Sequence, residues 1–194
     1  MKRFLAFVIT VMSLFALTSC QFLIVGLLSL AMGTYYDDNP ESYADAVEYI
    51  NDFAVLPDSL ENFTVNQYAY TRYEYMDTCV ELFIDLTVTE EQMTALLDKA
   101  HRSNGILAVR EAYYAEGYTE IVYADSYVLF ENLDNVGNAD IQKIIYNEQT
   151  GNILYEYFDA FDTGVYEVKD VAYFQRFGID QTEYEKHTIQ TYDR

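Results

Sequence analysis

The chain has no tryptophan, two cysteines, two prolines and eight glycines, and its 11 Lys and Arg are outnumbered by 32 Asp and Glu. Each shortage excludes something. Two thiols cannot build a disulfide framework or a thiolate zinc site. So few Gly and Pro exclude collagen-like and low-complexity chains. Scarce cations in a chain of net charge -21 exclude nucleic acid as a partner, because phosphate binding needs clustered Lys and Arg. They also exclude docking on anionic lipid through a basic face. What is plentiful is apolar and aromatic: 51% hydrophobic and 16% aromatic residues are enough buried surface to offset the ordering entropy of a folded domain. A length of 194 residues fits one domain with an appendage.

The appendage is at the N-terminus. Lys2 and Arg3 form a basic start, Phe4 to Leu17 is a mostly apolar run, and Leu17-Thr18-Ser19-Cys20 ends it. A basic n-region, a short apolar core and small residues at a cut site make a secretory signal. The ending resembles the lipobox of bacterial lipoprotein signal peptides, a Leu, two small or hydroxyl residues, then Cys. The resemblance covers about a tenth of the chain. It implies lipid transfer to the Cys20 thiol and cleavage before Cys20, so that the protein sits in the cell membrane or outer membrane by a lipid anchor with its domain outside the cytoplasm. The chain departs from the usual polar tether, because residues 4–33 carry no charge at all. An uncleaved transmembrane helix, needing about 20 apolar residues, is the rival reading. Both keep Lys2 and Arg3 in the cytoplasm. The organisation expected is a signal peptide over 1–19, a lipidated apolar membrane-proximal segment over 20–36, and one exported domain over 37–194.

All 32 acids lie in that domain with nine of the basic residues, for a net charge of -23. No acidic block reaches five residues, so the charge reads as a solvated, repelling surface, with a cationic partner as the sharper alternative. The spacing of Tyr43, Ala46, Val47, Ile50, Phe53 and Ala54 predicts a first helix over 40–56, stopped by Pro57. Strands are expected over 63–75 and 78–88. In the second, Val80, Leu82, Ile84, Leu86 and Val88 alternate with Glu81, Phe83, Asp85 and Thr87, which puts the aliphatic set inward and Glu81 outward. Thr89 and Gln92 match a capping box for a helix to about Ser103, with Asn104-Gly105 at its end. Further strands are expected at 118–123, 126–132, 141–146, 152–158 and 165–177, with a loop over 134–138 and a hairpin at 147–151 carrying Gly151 in a left-handed position. Asp180-Gln181-Thr182-Glu183 reads as the cap of a short last helix. Together these give the α+β class, an antiparallel sheet with a few helices packed on one face.

Searching for chemistry yields little. His101 sits at a helix end and His187 in a polar tail, outside any HxxH or HExxH pattern. Cys79 alternates onto the Glu81 and Asp85 side, which disfavours a thiolate. There is no GxSxG or SxxK. Carboxylate pairs are too common to mark a glycosidase site. Asp134, Asn138 and Asp140 lack EF-hand spacing. The sequence therefore assigns no catalytic residue, metal ligand or cofactor. Its oddest feature is 20 Tyr. Tyr68 and Tyr70 share one strand face, either as half-buried sheet filling or as a candidate recognition surface for a protein, peptide or glycan. The functional expectation is an anchored, non-catalytic binding module. The alternatives are a small cell-surface hydrolase, or an immunity or inhibitor lipoprotein that sequesters a cationic toxin or protease.

Overall fold

The computed structural model describes residues 34–50, 53–74, 78–129, 136–160 and 172–178. The chain falls into two units, Met1–Thr34 and Tyr35–Arg194, and the fold below is that of the second. Its strands are β1 (Thr34–Asp37), β2 (Thr64–Glu74), β3 (Thr78–Thr87), β4 (Ala108–Glu111), β5 (Thr119–Leu129), β6 (Val136–Asn147) and β7 (Asn152–Ala160). They form one antiparallel sheet in the order β1-β2-β3-β7-β6-β5-β4. The helices are α1 (Tyr43–Val47), α2 (Glu90–Arg102) and α3 (Ala172–Phe177). The α+β class stands.

One sheet face holds the main core. Leu82, Ile84 and Leu86 of β3 lie beside Tyr157, Tyr155 and Ile153 of β7, and Tyr155 lies beside Ile144 of β6. These side chains join Ala46, Phe53, Val55, Met93, Leu96 and Ala100 in a single buried cluster. Each fully buried aliphatic side chain there contributes roughly 1.5–3 kcal/mol. α2 packs on this face because its Met93, Leu96 and Ala100 recur at helical spacing. Its start is the expected capping box: Gln92 N donates to Thr89 Oγ1 and Thr89 N to Gln92 Oε1. The hairpin between β6 and β7 turns at Gly151, with φ 70°. A Cβ there would lie 2.7 Å from the Val88 carbonyl oxygen.

Several expectations are corrected. The first helix is a 3-10 turn at Pro40–Ser42 followed by the five residues of α1. It tightens at its end, where Tyr49 N and Ile50 N donate to the Ala46 and Val47 carbonyls. Beyond it Phe53, Val55, Leu56 and Leu60 are all buried, too many apolar positions for one helical stripe. Where they are described, the strands expected at 118–123 and 126–132 form one strand, β5, ending at Leu129 and interrupted between Val122 and Ala124 by a register shift. Residues 136–138 belong to β6 rather than to a loop. Part of the expected last strand is α3. The helices do not share one face, because α3 bonds to carboxylates on the opposite side of the sheet from α2. Glu81 is not outward: it is 2% exposed. Residues 1–33, 51–52, 75–77, 130–135, 161–171 and 179–194 lie outside the described residues, and with them Cys20, Asp134, His187, the first part of the strand expected at 165–177 and the expected terminal helix.

Candidate functional site

The second sheet face carries the unexpected chemistry. Its strands alternate apolar with charged residues. β3 supplies Glu81, Phe83 and Asp85; β7 supplies Leu154, Glu156 and Phe158; β6 supplies Ile141, Lys143 and Ile145. β5 adds Glu120 and Val122, and the edge strand β4 adds Arg110 opposite Glu120. The register shift at Tyr123 decides one further member. In an unbroken strand Asp125 would face α2. The extra residue turns it instead onto the side of Glu120 and Lys143, the re-aiming that β-bulges perform. Glu81, Asp85, Glu120, Lys143 and Glu156 are all buried.

Most of this stripe is paired internally. Arg110 donates from Nε to Glu120 Oε1 and from Nη2 to Asp125 Oδ2, the latter at 2.8 Å. Burial works against the guanidinium charge, but hydrogen bonds and attraction to Glu120 and Asp125 outweigh it and raise its pKa. Tyr114 OH donates to Glu120 Oε2 at 2.5 Å. Lys143 Nζ sits 2.9 Å from Asp125 Oδ1. α3 closes on the β3 end: Ala172 N donates to Glu81 Oε1 at 2.7 Å, and Arg176 Nε to Asp85 Oδ2 at 3.3 Å. Asn66 Nδ2 gives Asp85 Oδ1 a further bond of 3.0 Å.

Glu156 stands apart at the middle of the row. It is 1% exposed, and neither carboxyl oxygen has a hydrogen-bond partner among the described residues. Burial lifts its pKa well above 4.5; attraction to Lys143 opposes this, and the charges of Glu81, Asp125 and Glu120 reinforce it. Burial of this kind favours the protonated, uncharged carboxyl over the carboxylate. Serving a substrate would additionally require that the substrate reach it.

Open concavities lined by described residues lie elsewhere. One open groove is lined by Pro40, Glu41, Tyr43, Asp58, Glu61 and Val65 among others. Another runs between α2 and the β6–β7 hairpin, past Met93, Leu97, His101, Tyr146 and Gln149. Neither lining includes a residue of the charged stripe. Among the described residues, no group of three or more His, Cys, Asp or Glu is placed to hold a metal ion. No helix among them is long and apolar enough to cross a membrane.

The residues singled out from sequence fare unevenly. Tyr68 and Tyr70 share a face, but it is the core face: they are 4% and 2% exposed, opposite Ile84 and Leu82 of β3. Burial pushes the Tyr68 hydroxyl up to about 12. Both rings belong to the buried cluster with Tyr43, Leu82 and Ile84, so the pair fills the sheet face at this burial. His101 is exposed in the last turn of α2. Asp140 is exposed and accepts from Gln142 Nε2. Cys79 lies in β3 opposite Tyr73. The charged stripe was missed, although its signal is present. Ile144-Ile145 and Leu154-Tyr155 are apolar on consecutive positions, hence on both faces, so a charge between them has to be buried. Comparison with protein-family models, with curated proteins and with solved structures finds no match.

Proposed function

We propose that this chain is a membrane-anchored extracytoplasmic lipoprotein, held by lipid on Cys20, whose α+β domain is a non-catalytic binding module. The anchor rests on Leu17-Thr18-Ser19-Cys20 behind a basic start. The binding reading is supported above all by one observation. Glu156, whose carboxyl pKa is pushed upward by burial, is sealed at 1% exposure, while the face bearing α2 presents open grooves of mixed polar and apolar lining. Such a surface suits contact with a protein, peptide or glycan. A hydrolase would need Glu156 or its neighbours to meet water and substrate.

A specific feature favours a cationic partner, as an immunity or inhibitor lipoprotein would have. Glu41, Asp58 and Glu61 line one groove, with no Lys or Arg among its lining residues. Asp58 is bonded to Lys99 at 2.6 Å, so the other two supply the uncompensated charge. Mass spectrometry of the mature N-terminus tests the anchor. An acylated Cys20 is expected, and Cys20→Ala should leave an unlipidated, uncleaved precursor. An intact Met1, or cleavage elsewhere, overturns it. Titration with an oligolysine peptide tests the groove. Binding should weaken with salt and fall in the Glu41→Gln, Glu61→Gln double variant; equal binding by both proteins rejects the groove.

A further inference from the structure

Large apolar side chains left exposed among the described residues gather at the two edges of the sheet. Leu107 and Val109 lie at the β4 edge. At the β1 edge are three tyrosines: Tyr35 at 47%, Tyr36 at 62% and Tyr49 at 44% exposure. Alternation along β1 puts Tyr35 and Tyr36 on opposite faces of that edge strand, so the rings flank the edge from both sides. Tyr35 packs edge-on against Tyr70, with centroids 5.8 Å apart. Arg72 joins the group, its guanidinium 3.9 Å from the Tyr49 ring centroid and 5.9 Å from that of Tyr35. The Tyr43, Tyr68 and Tyr155 rings are buried, so this exposure belongs to one place rather than to tyrosine in general.

The place has a distinguishing property. The uncharged run of residues 4–33 ends directly before β1. A chain spans at most about 3.3–3.6 Å per residue, so Tyr35 can lie no farther than roughly 10 Å along the chain from Met32. The headgroup layer on each side of a bilayer is roughly 5–8 Å deep. Tyrosine is enriched at that depth because its ring is apolar and its hydroxyl polar. We infer that Tyr35, Tyr36 and Tyr49, with Arg72 among them, form an interfacial seat that sets the β1 edge of the sheet against the headgroups of the anchoring membrane. The inference rests on the anchored reading given above, in which residues 20–36 are the membrane-proximal segment. The seat works through aromatic rings rather than basic charge: Asp37, Asp38, Asp45 and Glu48 are close neighbours in sequence. Such a seat suits a zwitterionic bilayer surface. Edge-on seating also leaves the α2 face and its grooves free, and holds the β4 edge six strand spacings away, roughly 29 Å from β1.

The absence of tryptophan makes the test direct, because each Tyr→Trp substitution introduces a unique fluorophore. Full-length lipidated protein carrying Tyr35→Trp, Tyr36→Trp or Tyr49→Trp is reconstituted in phosphatidylcholine vesicles with and without brominated acyl chains, and Leu107→Trp serves as the distant control. The three edge reporters should shift to the blue and lose emission in brominated vesicles, and the control should do neither. If Tyr35→Trp disturbs its packing on Tyr70, as a melt would reveal, Tyr36→Trp carries the test. Protein that floats with the vesicles while edge reporters stay unquenched, or are quenched no more than Leu107→Trp, overturns the seat and leaves the anchor standing. A blue shift that bromine does not quench and that vanishes on dilution assigns the edge to a second copy, and also overturns it. Failure to float removes the anchored reading and the seat together.

Discussion

Replacing Arg110 with Met tests the account of the charged stripe most sharply. Arg110 is the only cation bonded to Glu120 among the described residues, and Glu120 has no exposed side-chain surface. The substitution keeps much of the aliphatic stem and leaves Glu120 with the Tyr114 hydroxyl alone. It also takes the Arg110 cation from Asp125, which keeps Lys143. Stripping one partner from a buried pair typically costs 3–5 kcal/mol; Arg110 is 33% exposed, and screening on that side brings the expectation to about 2–4 kcal/mol. For a domain of this size that lowers the melting temperature by roughly 5–15 °C. The decisive comparison is a double-mutant cycle. Arg110→Met with Glu120→Gln removes the orphaned charge as well as its partner, so the double variant should regain most of the loss, because replacing a whole buried pair is often close to neutral. Urea and thermal melts of the four proteins supply the cycle. A single variant within about 0.5 kcal/mol of wild type, the usual range for surface substitutions, or a double variant no better than Arg110→Met, would refute the pairing described here.

Glu156 gives a prediction in pH. Burial raises its folded pKa above the ordinary 4.5, so the native state holds this proton more tightly than the unfolded chain does. Its effect on stability is therefore neutral where both states are protonated, and unfavourable increasingly as pH rises through the window above 4.5. Glu156→Gln should match wild type near pH 4 and gain on it toward pH 8 in thermal melts; parallel curves would sink the assignment. Glu81→Ala should destabilise by about 1–3 kcal/mol, since Ala172 N loses its buried acceptor, and a neutral result would mean that α3 does not dock on β3. Gly151→Ala should cost at least about 1–2 kcal/mol from the left-handed backbone alone, with the 2.7 Å approach to Val88 adding to it; denaturant midpoints measure this. Tyr68→Ser with Tyr70→Ser should lower stability by several kcal/mol through lost burial, and normal melting of that double variant would place the rings outside the core.

How much was readable depends on whether a signal is local. The β3–α2 unit was legible because strict alternation from Val80 to Val88 and the Thr89/Gln92 box are determined within a few residues of themselves. The Gly151 hairpin was legible for the same reason. The extent of α1 was not, because Ile50, Phe53, Leu56 and Leu60 are buried by the sheet above them rather than by a helical stripe. The inward direction of Glu81 was not legible either. Period-two patterning assigns two sides to a strand, but whether the second side meets water depends on α3, about 90 residues later. Tyr68 and Tyr70 show the same limit, since their shared face follows from period two while their burial follows from β2 lying inside the sheet.

The bulge at Tyr123 was illegible for a different reason. In sequence, Ala124-Asp125 separates the strands expected at 118–123 and 126–132. In the fold the same dipeptide continues the strand, and the extra residue changes which way Asp125 faces. That change gives Lys143, a buried ammonium beside Val122, a carboxylate at 2.9 Å, and gives Arg110 its second acceptor. An unpaired buried charge costs far more than a register shift. The bulge is therefore explained by the charges it unites: a β5 without it would face Asp125 into the aliphatic core beside α2 and leave Lys143 without that partner on the far side.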